Sequence, residues 1–197
     1  MRLAIFGGTF DPIHNAHLTV AREAASRFRL DRILLVPAAY PPHKGGRTSA
    51  AYEDRCRMAE VACAGEPLFE VSRLEAGNQR SYSIHTINKV KATLTPNDEL
   101  YFLIGADAFR EIATWFRWRD AIAAVQFIVV TRPGHQYAVP PGAKVHRLET
   151  VALPVSSSDI RQELAEGKAA DELPPSVETY IRERGLYKNG PDAGPSR

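Results

Sequence analysis

Apolar residues gather in short runs, and these alternate with longer stretches of helical periodicity. Leu3–Phe6, Arg32–Val36, Phe69–Val71, Leu100–Ile104, Phe127–Thr131 and Val145–Leu148 read as strands. Between them, Ala16–Phe28, Tyr52–Cys63, Ile84–Leu94, Ala108–Thr114 and Trp118–Val125 carry the helical pattern. A strand that is apolar at successive positions is covered on both faces. Such strands alternating with helices predict an α/β fold: a doubly wound parallel sheet with helices on both faces and right-handed crossovers. The last third differs. Pro133–Pro141 is rich in turn residues. Ser156–Ser158 precede a helix at Asp159–Glu166 that Gly167 ends, and Pro174-Pro175 open a last helix that runs to Arg184 and closes at Gly185. This predicts a small helical C-terminal part. Residues 1–187 read as one domain, without repeat or linker. The polar, breaker-rich stretch 188–197 is expected to be disordered.

Composition narrows the function classes. A chain of 197 residues with 44% hydrophobic and 24% charged residues is an ordinary globular domain with room for one full core. The net charge of +2 is too mild for a nucleic-acid surface, and no lysine-arginine block or aromatic-interleaved basic stripe appears. No stretch reaches the length of a membrane helix, and the N-terminus reads as a core strand and not as a signal peptide. The expected location is the cytoplasm, with no nucleic-acid or membrane partner. Cys56 and Cys63 lie two helical turns apart, roughly 10 Å along the axis, beyond disulfide reach. No cysteine or histidine spacing suits zinc, so they read as plain thiols.

The candidate chemistry begins where the first strand ends. Gly7-Gly8-Thr9-Phe10 leads through Asp11-Pro12-Ile13 to His14 and His17, which sit at helical i, i+3 spacing on one face. In an open parallel sheet, ligands bind at the carboxyl ends of strands. Glycine amides, a helix N-terminus and two imidazoles at such an edge favour an anion. The stretch lacks both the dinucleotide Gly-x-Gly-x-x-Gly pattern and the Lys-Ser/Thr ending of a P-loop. The imidazoles can donate hydrogen bonds to a phosphate in transfer; the competing reading is that one or both cap the helix or bond its backbone.

Gly-Gly-Thr-Phe-Asp-Pro-x-His-x-x-His resembles the opening motif of the (H/T)xGH nucleotidyltransferases, which share a Rossmann-like sheet and move a nucleotidyl group from a nucleoside triphosphate. Further along, Pro41-Pro42-His43-Lys44, Ser81-Tyr82-Ser83, Ile104-Gly105-Ala106-Asp107 with Trp115, and Val155-Ser156-Ser157-Ser158-Asp159-Ile160-Arg161 resemble, in order, the motifs of bacterial nicotinate-nucleotide adenylyltransferases. Tyr180-Ile181 and Gly185-Leu186-Tyr187 resemble that family's usual ending. The resemblance implies ATP and nicotinate mononucleotide as partners, nicotinate adenine dinucleotide and pyrophosphate as products, and Mg2+ bound mainly through the ATP phosphates. His14, His17, Lys44 and Arg161 would carry catalysis. Gly7, Gly8, Thr9, Phe10, His14, His17, Gly105, Asp107, Ser157 and Arg161 would bind ATP. Ser83, Trp115, Phe116 and Lys44 would bind the mononucleotide, with Ser83 and Phe116 acting through backbone amides on the ring carboxylate. No protein metal ligand is implied.

Each residue also has a plainer reading: a loop lysine for Lys44, a serine N-cap with a surface arginine for Ser157 and Arg161, a helix N-cap for Asp107, and a core residue for Trp115. The chain departs from the family at Ala16, where glycine is usual and an added methyl could crowd the base. Ser83 and Ser158 stand for threonines, and Ile87 stands for a leucine. The alternatives left open are a phosphopantetheine adenylyltransferase, a preference for nicotinamide over nicotinate mononucleotide, and a non-catalytic nucleotide sensor. A homo-oligomer is also open.

Overall fold

The computed structural model describes residues 1–41, 48–77, 80–151 and 155–188. Pro42, His43 and Lys44 and the tail expected to be disordered, from 189 onward, lie outside the described residues. Six strands form one parallel sheet: β1 (Arg2–Gly8), β2 (Arg32–Pro37), β3 (Phe69–Val71), β4 (Glu99–Gly105), β5 (Gln126–Thr131) and β6 (Lys144–Glu149). Their spatial order is β3-β2-β1-β4-β5-β6. The chain moves outward from β1 to one edge, then returns to β4 on the other side of β1. The carboxyl ends of β1 and β4 are thus the point where ligands bind in an open sheet.

Alternation along each strand divides the core in two. Leu3 and Ile5 of β1, Leu34 and Val36 of β2, and Leu100, Phe102 and Ile104 of β4 pack on one face. Ala4 and Phe6, Ile33 and Leu35, and Tyr101 and Leu103 pack on the other. The period of two sends neighbours to opposite faces, and helices bury both, so every central strand reads as a continuous apolar run. The first face is covered by α3 (Ser83–Lys91) and α5 (Trp118–Ala124); the second by α1 (Asn15–Phe28), α2 (Tyr52–Cys63) and α7 (Pro175–Arg184). Cys56 and Cys63 are free and buried on α2. Among the described residues no helix is long and apolar enough to cross a membrane.

Three helices differ from their predicted extent by more than one residue at an end. The expected Ala108–Thr114 helix is α4 (Ala106–Arg110) followed by a separate 3-10 turn at Ile112–Thr114. Phe109 and Ile112 are both buried and three residues apart, a spacing the tighter turn serves, and the Thr114 hydroxyl donates to the Glu111 carbonyl (2.7 Å). The third helix stops at Lys91 because the Thr93 hydroxyl and amide both bond the Val90 carbonyl, at 2.7 and 3.0 Å. The helix expected at Asp159–Glu166 is α6 (Ser157–Ala165), because its cap is Ser156, whose hydroxyl accepts the Asp159 amide at 3.1 Å.

Candidate active site

Two cavities flank the carboxyl ends of β1 and β4. One, of about 300 Å3, includes Gly7, Gly8, Thr9, Ser83, Ile104, Trp115 and Phe116 in its lining. The other, of about 590 Å3, includes Phe6, His14, Ala16, His17, Gly105 and Asp107. They lie on opposite faces of the sheet edge: Ile5 and Gly7 of β1 and Phe102 and Ile104 of β4 turn toward the smaller cavity, Phe6 toward the larger, and Gly105 and Asp107 lie on the larger side just past Ile104. Residues spread over a hundred positions of sequence are thereby gathered at one sheet edge: Ser83, Trp115 and Phe116, expected at the mononucleotide, line the smaller cavity, but so do Gly7, Gly8 and Thr9 of the expected ATP set, whose His14, His17, Gly105 and Asp107 line the larger.

The turn after β1 is built on a single ring. Phe10 has φ +48°, is 2% exposed, and packs edge-on against Phe6 (5.5 Å between centroids) and His17 (5.1 Å). A Cβ at Gly8 would lie 2.8 Å from that ring, whereas one at Gly7 would make an ordinary 3.4 Å contact with Phe102. The second glycine is thus required by Phe10 itself. Phe10, expected among the ATP residues, has its side chain in the core and lines neither cavity.

His14 is the N-cap of α1 and is 5% exposed. Its backbone amide donates to His17 Nδ1 (3.2 Å), and the two rings lie 3.7 Å apart at 32°. The reading in which a histidine bonds the helix backbone is realised: His17 spends Nδ1 on the helix start. That leaves its proton on Nε2, the nitrogen free to donate. The His14 Nδ1 is buried without a partner. Burial lowers the His14 pKa to about 4, and burial together with His14 holds His17 well below its usual value. At neutral pH the pair is uncharged.

Asp107 is not the cap of α4; Gly105 is, and Asp107 sits in the first turn, 94% exposed and 3.6 Å from Arg110. Trp115 is half-buried, edge-on to Phe102 at 5.9 Å, with its remaining surface in the smaller cavity. Ser83 is the first residue of α3, where backbone amides have no partner within the helix. The Ser157 hydroxyl donates to the Pro12 carbonyl (3.0 Å), and Arg161 donates to the Asp11 carbonyl (2.7 Å) and to Ser158 Oγ (3.2 Å). Neither residue lines either cavity. Both hold the turn between β1 and α1 through its backbone carbonyls, and the buried Arg161 Nε has no partner.

Several contributors were not singled out from sequence. Arg132 and His135 line the larger cavity. The rule that ligands gather at strand ends would have found Arg132, which directly follows β5. Glu75 lines the smaller one; it accepts the Thr86 hydroxyl at 2.6 Å through one oxygen and keeps the other buried and unpaired. Fully buried Arg55 donates to the carbonyls of Thr9 (2.7 Å), Ala38 (2.8 Å), Ala50 (3.3 Å) and Ala39 (3.5 Å), tying the β1 turn to the loop after β2. Burial lowers its pKa, and the nearby Asp11 carboxylate works in the opposite direction. A lone arginine inside an amphipathic helix gives no sequence signal for this.

A glycine-bearing turn, a neutral histidine pair and two cavities at the switch point define a nucleotidyltransferase site, and the cytidylyltransferase-like family model matches residues 5–163. Among sequence relatives, a protein of Solibacter usitatus named "Probable nicotinate-nucleotide adenylyltransferase" is 60% identical, covering 95% of this chain and all of that one. One of the same name from Pelobacter propionicus is 38% identical, over 97% of this chain and all of that one. The chain belongs to the nicotinate-nucleotide adenylyltransferase family. The fold agrees with that of Plasmodium falciparum nicotinic acid mononucleotide adenylyltransferase, solved in complex with NaAD: TM-score 0.79 at 20% identity, covering 95% of this chain and 97% of that one.

Proposed function

We propose that this protein transfers AMP from ATP to nicotinate mononucleotide, giving nicotinate adenine dinucleotide and pyrophosphate in NAD biosynthesis. The observation that carries the reading is the pair of cavities meeting at one phosphate turn, with Trp115, Ser83 and Phe116 on one side and His14, His17, Gly105 and Asp107 on the other. The reaction belongs to residues 1–187 as one catalytic domain, in the cytoplasm.

The nucleophile is the phosphate monoester of the mononucleotide. Its second pKa is about 6, so it is ionised at neutral pH and needs no general base. The barrier is the approach of one anion to another in line, and catalysis is positioning with stabilisation of developing charge. The Gly7–Phe10 backbone orients the phosphates. His14 and His17, uncharged before ATP binds, act as hydrogen-bond donors to the α-phosphoryl oxygens in the transition state. The His17 proton is already placed on Nε2 by the bond its Nδ1 accepts. Asp107 accepts ribose hydroxyls. The face of Trp115 receives the pyridine ring, and the amides of Ser83 and Phe116 meet its carboxylate. Arg161 acts by holding the turn through the Asp11 carbonyl, and Lys44 supplies a cation to the triphosphate. Mg2+, brought on the ATP phosphates, would offset their charge; among the described residues no group of three or more His, Cys, Asp or Glu side chains could cage a metal.

The test is pyrophosphate release from ATP and Mg2+ with nicotinate or nicotinamide mononucleotide. Release with the nicotinate form alone supports both the reaction and the carboxylate pocket. Comparable release with both discards the amide-pocket specificity. Release with neither sinks the assignment.

A further inference from the structure

Asp11 lies inside the phosphate turn, between Phe10 and His14, and is 2% exposed. Its carboxylate accepts three hydrogen bonds from segments far apart in sequence. Oδ2 takes the Ser49 amide (2.7 Å); Oδ1 takes the Ala50 amide (3.1 Å) and the Tyr187 hydroxyl (2.7 Å). Ser49 and Ala50 lie at the end of the segment that carries Lys44. One buried side chain therefore joins the histidine turn to the base of the Lys44 segment, and the shortest of its bonds through Oδ1 comes from the far end of the chain.

Tyr187 is held to deliver that bond. It follows α7, whose C-cap Gly185 is left-handed, and itself has φ +63° and is 8% exposed. The Leu186 amide bonds back to Ile181 O (3.0 Å). The last helix is moored on α2 through Tyr180 OH to Asp54 (2.8 Å), Arg184 to Asp54 (3.3 Å) and Ser176 OH to the Val61 carbonyl (3.0 Å). A tyrosine in the left-handed region is uncommon and needs surroundings that hold it there.

We propose that Tyr187 is a positioning residue: its hydroxyl, through Asp11, keeps the histidine turn and the base of the Lys44 segment in the relative placement that phosphoryl transfer requires. This rests on the adenylyltransferase reading. Removing the hydroxyl leaves Oδ1 with only the longer Ala50 bond, in a site where a buried carboxylate depends on its donors. The cavity residues Trp115, Ser83 and Asp107 are on other elements and keep their places.

The experiment uses full-length Tyr187→Phe, which keeps the ring and its packing. With ATP, Mg2+ and nicotinate mononucleotide, kcat falls roughly tenfold while KM for the mononucleotide stays within about twofold. In the same protein, amide hydrogen exchange at Ser49 and Ala50 accelerates while the amides of β4 and β5 stay protected. A folded Tyr187→Phe with parental kcat and parental exchange at those two amides overturns the proposal, as does a lower Tm with kcat unchanged. Asp11→Asn, which turns an acceptor into a donor against the Ser49 or Ala50 amide, shows the same pattern more strongly; parental kcat in that variant also overturns it. If the parent releases no pyrophosphate with either mononucleotide, the functional reading has failed, and the exchange at Ser49 and Ala50 still decides whether Tyr187 fastens the turn.

Discussion

Gly8→Ala isolates the part Phe10 plays in the turn. Gly7 and Gly8 both close β1, yet only Gly8 faces the folded-back ring. An added Cβ would lie 2.8, 2.9 and 3.2 Å from three Phe10 carbons, against an optimal carbon–carbon contact of about 3.5–4.0 Å. The ring has no easy escape: it is wedged edge-on between Phe6 and His17, buried, on a backbone already at φ +48°. Overpacking of this kind costs about 1–3 kcal/mol. At this chain length that lowers Tm by roughly 2–12 °C. The ring must move toward Phe6 or His17, so turnover falls as well. Gly7→Ala is the control, since its Cβ would meet Phe102 at an ordinary 3.4 Å. Thermal denaturation and steady-state pyrophosphate release on both variants form the assay. A Gly8→Ala protein with parental Tm and turnover, or equal stability losses in the two variants, would refute the reasoning.

The histidine pair makes stability depend on pH. His14 titrates at about 4 when folded against 6.5 unfolded, so between those values the unfolded chain binds the extra proton. Stability is complete above pH 6.5 and declines as pH falls toward 4, by roughly 3 kcal/mol from His14 alone; urea titrations of parent and His14→Asn that show the same pH slope would contradict this. His17→Ala cuts turnover by about 100-fold or more with the fold retained, and near-parental turnover would remove His17 from the chemistry. Trp115→Ala raises KM for the mononucleotide far more than that for ATP; equal effects would make Trp115 a core residue. Arg55→Leu leaves as many as four carbonyls without their buried donor and lowers unfolding free energy by about 3 kcal/mol or more, measured by urea denaturation; a loss under about 1 kcal/mol would show that water replaces the guanidinium.

Much was already legible in the chain. All six strands and their alternation with helices follow from the pattern of apolar residues, because a strand covered on both faces must be apolar at successive positions. The glycine turn, the histidine pair and Trp115 stand in ordered motifs, because chemistry that needs particular side chains keeps them at particular spacings. What sequence could not determine depends on contacts between distant segments. The second glycine reads as room for a ligand, but its neighbour is Phe10. Ser157 and Arg161 read as phosphate ligands, but their hydrogen bonds go to the carbonyls of Pro12 and Asp11, about 150 positions away. The charge state of His14 and His17 is set by burial, which no spacing encodes. Arg55 stands in no motif, and Asp11 and Tyr187 stand in motifs at opposite ends of the chain, until folding closes all three around the turn. A local pattern records what one segment must bury or present. Hydrogen-bond partners and pKa values belong to pairs of segments, and only the tertiary structure brings those pairs together.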